Sequence, residues 1–292
     1  ENAMEISNEG LELELQADIL RESAVSWRMK FNMARNWNRF EKSYSGKDVV
    51  DGDGTLLVVG RPLNGLYVWA HRGYYNSDAE VPRLYKIDGQ EIYFNGVATN
   101  GISGAVGDYR LLDLDGDGNP DSYYAGSPLP LAHGGWVNEL MWKNFDLNVL
   151  VNFTIGRKMI NNRMGLGFSR QSEDGHLTKL FDYRKLRPWD GVNKKPNAPA
   201  WGNSLSMNTD SAIEKVHHLA LKQITLGYNL PDRISKKAGL SGVRFFLTAE
   251  NLFYLSNYSG GNPEVVNIYT GRDNGDTYPL PRKYTLGLTL NF

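Results

Sequence analysis

KYTLGLTLNF, residues 283–292, places Tyr284, Leu286, Leu288, Leu290 and Phe292 on one parity and Lys283, Thr285, Gly287, Thr289 and Asn291 on the other. A period of two without exception reads as a strand with one apolar and one polar face. Such a strand suits a half-exposed sheet of a soluble protein or the wall of a transmembrane barrel. Its length favours the second. The nine residues from Tyr284 to Phe292 at ~3.4 Å rise make ~30 Å, and a ~40° tilt leaves ~23 Å, close to the ~25 Å apolar band of an outer-membrane barrel. The bare aromatic Phe292 at the end of the run agrees, because a soluble domain usually leaves a frayed polar tail there.

The same alternation recurs upstream. Leu11, Leu13, Leu15, Ala17 and Ile19 oppose Glu12, Glu14, Gln16 and Asp18. After a tight turn at Arg21, Glu22 and Ser23, the residues Val25, Trp27, Met29, Phe31 and Met33 oppose Ser26, Arg28, Lys30, Asn32 and Ala34. Trp136–Trp142 and Phe145–Ile155 read as a hairpin turning at Lys143 and Asn144, with Leu150 the one lapse in its alternation. Val216–Leu230 is a strand whose faces stay mixed until Ile224, and Val243–Glu250 alternates again after a turn spanning Pro231 to Ser241. In a soluble sandwich each apolar row needs a second sheet over it, whereas in a bilayer it needs nothing.

Between these runs lie residues 41–133, 157–215 and 254–282, rich in polar, Gly and Pro positions, with short local strands such as LLVVG at 56–60. The connections therefore run roughly 3, 93, 2, 60, 12 and 30 residues in order. Short turns on one edge and long loops on the other is the layout of a bacterial outer-membrane barrel. The expected fold is thus all-β, a transmembrane antiparallel barrel segment of about seven strands with long extracellular loops. Seven is odd, and a closed bacterial barrel has an even number, so the segment is part of a larger ring.

Composition narrows the function. With 32 Lys plus Arg against 33 Asp plus Glu, the net charge of −1 offers no field for nucleic acid. No apolar run approaches the ~20 residues of a membrane helix, and there is no cysteine for disulfides or thiolate metal sites. ENAMEISNEG at the start carries neither a basic nor an apolar signal region, so the outer-membrane reading takes the chain as a mature product or a fragment.

Five stretches also resemble a known family: GDYRLLDLDGDGNPD (107–121), GSPLPLAHGGWVNELMWKNFDLNVLVNFTIG (126–156), LKQITLGYNLP (221–231), TAENLFYLSNYSGGNPE (248–264) and YPLPRKYTLGLTLNF (278–292). Together they are similar to the closing, C-terminal portion of SusC/RagA-type TonB-dependent outer-membrane transporters. The resemblance implies that residues 1–292 are one portion of a 22-stranded barrel, without the plug domain. It implies a SusD-like surface lipoprotein lid and a remaining N-terminal barrel and plug portion that couples to the TonB complex. The implied cargo is a glycan, or a peptide in some members, and the implied place is the bacterial outer membrane, in contact with lipid. A structural or adhesive barrel without energy-coupled import is the alternative, and a secreted soluble β-sandwich a third reading.

The sharpest local motif is DLDGDGNPD. Asp113, Asp115 and Asp117 take positions 1, 3 and 5 of a calcium loop, Gly118 supplies the turn, Asn119 a backbone carbonyl, and Asp121 stands at position 9. Tyr124 occupies position 12, where an EF-hand places Glu, so the competing reading is a solvated Asp/Gly turn. The loop aromatics Trp69, Tyr74, Tyr75, Tyr123, Tyr124, Trp189, Trp201, Tyr254 and Tyr258 offer faces for sugar stacking, but packing of the loops is the commoner use of such side chains. His217 and His218 point to opposite faces of a strand and cannot share a metal, while His71, His133 and His176 are scattered in loops. Glu12, Glu14 and Asp18 read as a hydrated inner wall. No nucleophile–base or paired-carboxylate spacing stands out, so the chain is not expected to be an enzyme.

Overall fold

A computed structural model describes residues 4–21, 24–50, 56–81, 83–85, 91–93, 106–116, 121–162, 187–192, 195–200, 209–275 and 277–292. Seven long strands build one antiparallel wall: β1 (Glu5–Leu20), β2 (Val25–Lys42), β3 (Ala132–Trp142), β4 (Phe145–Asn161), β5 (Ile213–Asn229), β6 (Gly242–Ser256) and β7 (Lys283–Asn291). They pair in sequence order, each with its neighbours, so the wall is a meander.

The register carries the alternation of each strand across the whole wall. Leu286, Leu247, Leu226, Leu147, Leu140, Trp27 and Leu20 are successive cross-strand partners, one from every strand, and every member is apolar. Among the described residues nothing covers this face: Leu286 is 82% exposed and Leu288 54%. Seven adjacent strands all baring the apolar parity is what a surface in contact with hydrocarbon requires. The row also measures the slant of the wall. It lies five residues from the short-turn end of β7 but on the last residue of β1, which amounts to ~17 Å along the strands against ~29 Å across them. The resulting tilt of about 30° is near the range of membrane barrels. At the short-turn edge Trp142 stacks on Phe145 with centroids 6.1 Å apart, and Phe145 meets Tyr228 at 4.7 Å, an aromatic rim of the kind that sits at a membrane interface.

The opposite face is polar and cross-linked. Lys30 bonds Glu139 at 2.9 Å, Arg28 bonds Asp18 at 2.7 Å, Lys283 meets Glu250 at 3.3 Å, and Thr225 and Thr248 share a 2.9 Å hydrogen bond. Arg244 reaches Asp146 at 2.5 Å from two strands away, across Gly227. That reach depends on the missing side chain, since a Cβ at 227 would lie 2.4 Å from the Asp146 carboxylate and 2.5 Å from the Arg244 guanidinium. Gly227→Ala is therefore expected to cost about 1–3 kcal/mol in the wild-type background and much less when Asp146 is already Ala, a coupling readable from a double-mutant cycle of unfolding.

The structure revises several boundaries. β1 starts at Glu5 rather than Leu11, β3 begins four residues before Trp136, and β4 runs on to Asn161. These ends were hidden because polar residues replace apolar ones once a strand rises above the hydrocarbon. The mixed faces of β5 have a physical cause. Its pairing with β4 slips between Gln223 and Leu221, and its pairing with β6 slips at the same place beside Asn251, whose φ is 52°. A bulge here moves the outward parity from Ile224 to Leu221, so a strict period of two cannot span the strand. The lapse at Leu150 sits opposite the same bulge. Of LLVVG only Leu56–Leu57 is extended, and the turn after Pro231 holds a short helix, Asp232–Lys237.

Candidate functional site

β2, β4 and β5 are 17 or 18 residues long, well beyond the ~9–11 needed to cross a bilayer with tilt. Their surplus rises on the long-loop side, and there the molecule has its packed core. Gly156, at φ 71°, bulges β4, and the residues after it turn inward to meet the loops. Ile160 packs with Leu66, Val68, Ala125 and Ala212, while Met159 packs with Val216, Tyr258 and Val266. Beside the second cluster lies Arg157, 5% exposed, donating to the backbone carbonyls of Pro263 (3.3 Å), Val266 (3.0 Å) and Asn267 (3.0 Å). One buried guanidinium thus ties loop 262–267 to the top of the wall.

Most of the loop aromatics pack the loops. Tyr75 and Tyr258 are buried, and the Tyr258 hydroxyl donates to Asp273 at 2.7 Å. Tyr74 stacks on buried Tyr109 at 5.3 Å, and Tyr124 lies under Arg61. Trp189 donates from Nε1 to Asn76 at 3.2 Å. Tyr123 and Tyr254 keep exposed faces, 36% and 41%, and Trp69 is half-buried. Trp201 and His176 lie outside the described residues. Sequence reading missed the link that joins two distant loops: His71 Nδ1 contacts Asp210, which also accepts from the Tyr123 hydroxyl at 3.2 Å. Only residues 139 apart in sequence make it, so no local pattern signals it. His218 is buried on the lumen side, and His217 on the other face accepts from the Gly156 amide at 3.3 Å.

Burial pushes the Tyr67 phenol up to about 12, and its hydroxyl lies buried without a hydrogen-bond partner among the described residues. The neutral form is thus favoured in the folded loops. Above pH 10 the unfolded chain sheds this proton while the folded one keeps it. Loop stability should therefore be full below pH 10 and fall as pH rises toward 12, seen as tyrosinate absorbance that lags behind that of a denatured control.

Among the described residues, two places remain as candidates, a cavity and an exposed acidic loop. A cavity of about 240 Å³ opens beside the β5–β6 bulge, between Phe253, Tyr254, Leu280 and Arg282 and the Lys222–Glu264 ion pair, whose N–O distance is 3.2 Å. The acidic loop is the other. Asp113, Asp115 and Asp121 bring carboxylate oxygens within 4.8 Å of one another. The amides of Leu114 (2.5 Å) and Asp115 (3.1 Å) donate to Asp121, and that of Gly116 (2.6 Å) to Asp113, holding the turn in shape. Three convergent carboxylates suit a hard cation with oxygen ligands. Asp117 and Asn119 lie outside the described residues, and Tyr124 supplies an aromatic ring where an EF-hand has its closing carboxylate.

No protein-family model matches the chain. It is 25% identical over 316 residues to TonB-dependent receptor P3 of Formosa agariphila, covering all of this chain and 29% of that receptor. It is 26% identical over 305 residues to TonB-dependent receptor SusC of Bacteroides thetaiotaomicron, covering all of this chain and 27% of that protein. In fold it matches the RagAB peptide transporter with a TM-score of 0.71 at 22% identity, covering all of this chain and 30% of that one. The chain therefore spans less than a third of the length of the proteins it resembles.

Proposed function

From the premise that this chain resembles the C-terminal part of SusC/RagA-type TonB-dependent transporters, we propose that residues 1–292 form wall, lumen and outer loops of a nutrient importer in a bacterial outer membrane. The long loops face the cell exterior. The cargo is a glycan or a peptide, a SusD-like lipoprotein closes over the loops, and TonB energises uptake through a plug carried by the N-terminal barrel portion. The observation that supports this reading is the single seven-strand row of lipid-facing side chains backed by a polar, ion-paired lumen, in a chain similar over its whole length to TonB-dependent receptors.

The test is uptake of labelled oligosaccharide and peptide mixtures by cells with and without the complete protein, before and after a protonophore. Uptake that needs both the protein and the proton gradient is expected. Uptake indifferent to both favours the structural or adhesive barrel.

Calcium at Asp113, Asp115 and Asp121 is part of the proposal, with Asp117 and Asn119 completing the ligand set. Calcium titration by calorimetry should give heat that Asp113→Asn with Asp121→Asn abolishes, and no heat in the unaltered protein rejects the site.

A further inference from the structure

β1 has a neighbour on one side only: among the described residues it pairs with β2 and nothing else. Sixteen residues of strand edge, EISNEGLELELQADIL, contain no proline and no lysine, two of the devices that keep an exposed edge from pairing; their charges are all acidic. Seven antiparallel strands make β1 and β7 run in the same direction, so they cannot close on one another antiparallel, and neither can the two edges of neighbouring copies in one membrane. In a closed antiparallel barrel the strand against β1 would run the opposite way, and the strands bridging β1 to β7 would be odd in number.

The lumen face says what that strand carries. On this face the acids of the wall's interior are each matched by a cation of another strand: Asp18 by Arg28, Glu139 by Lys30, Asp146 by Arg244, Glu250 by Lys283. Glu12 and Glu14 break the pattern. They stand opposite Ala34 and Asn32 on β2, are exposed, and have no ion pair on the side that is filled. β7, at the other edge, leaves no such demand, because Lys283 is already paired and Thr285, Gly287, Thr289 and Asn291 are uncharged. We propose that the edge of β1 is an interface for an antiparallel strand of the remaining barrel portion that presents Lys or Arg on its lumen face, in register with Glu12 and Glu14. Like charges directly opposite are destabilising and unlike ones favourable, so the two glutamates disfavour an acidic neighbour and favour a basic one in this register. The inference rests on the barrel reading given above.

The experiment uses the complete transporter in phospholipid vesicles, comparing Glu12→Gln with Glu14→Gln, and Glu12→Lys with Glu14→Lys, as paired variants. The Gln pair should shift the unfolding equilibrium roughly three- to tenfold at low salt and lose most of that difference at high salt. The Lys pair should be several-fold worse again or fail to assemble. If it fails to assemble, the salt response of the Gln pair decides. Gln and Lys pairs both equal to the unaltered protein, or a Lys pair more stable than it, overturns the proposal. Loss of energy-dependent uptake as a property of the protein leaves the edge pairing standing, and a false barrel reading shows itself separately as loss of the face contrast at Leu286 and Thr285.

Discussion

Leu286→Arg is expected to destabilise the assembled barrel by about 2–4 kcal/mol, while Thr285→Arg, one residue away, should change it by less than about 1 kcal/mol. The two positions are neighbours in sequence and strangers in environment. Leu286 belongs to the bare apolar row and lies near the middle of the slanted band, where a guanidinium must either enter hydrocarbon or drag water in. Thr285 lies on the parity of Lys283 and opposite Thr248, which faces the lumen, where Arg stays hydrated. Unfolding titrations in phospholipid vesicles, followed by tryptophan fluorescence, give the comparison. Equal costs at 285 and 286 mean that no hydrocarbon touches the wall.

Arg157→Met should have the other large effect, and in a different place. Met keeps the length and the apolar stem but leaves the carbonyls of Pro263, Val266 and Asn267 without their donor in a buried site. Buried acceptors stripped of a charged donor cost about 1–3 kcal/mol each, and partial entry of water lowers the sum to roughly 3–5 kcal/mol. The loss is local, because β4 keeps its ladder with β5 below the Gly156 bulge. Amide exchange in residues 258–273 should therefore speed up a hundredfold or more while the short-turn half of the wall stays protected. Unchanged exchange there means that the two packed clusters hold the loop without the guanidinium.

The wall was legible because a lipid-facing strand writes its environment into every second residue. Leu11 to Ala17, Val25 to Met33, Phe145 to Ile155 and Tyr284 to Leu290 each lie on the predicted face. Legibility failed where alternation meets irregular backbone. At Lys222 a bulge reverses the parity of β5, and above Gly156 both faces of β4 are buried, so Arg157, Met159 and Ile160 carried no recognisable period. Of the five proposed calcium ligands, the fold brings Asp113, Asp115 and Asp121 together, as a local motif of nine residues can dictate by itself.

Strand existence, the face that each unbulged strand turns to lipid and the division into short turns and long loops follow from local periodicity alone, since the choice between water and hydrocarbon is made residue by residue. Tertiary structure alone decided the partners: Arg157 with three carbonyls more than a hundred residues away, His71 with Asp210, and Arg244 with Asp146 across a glycine that has to be small. Those contacts depend on register and loop closure, sums over distant segments that no short window of sequence contains.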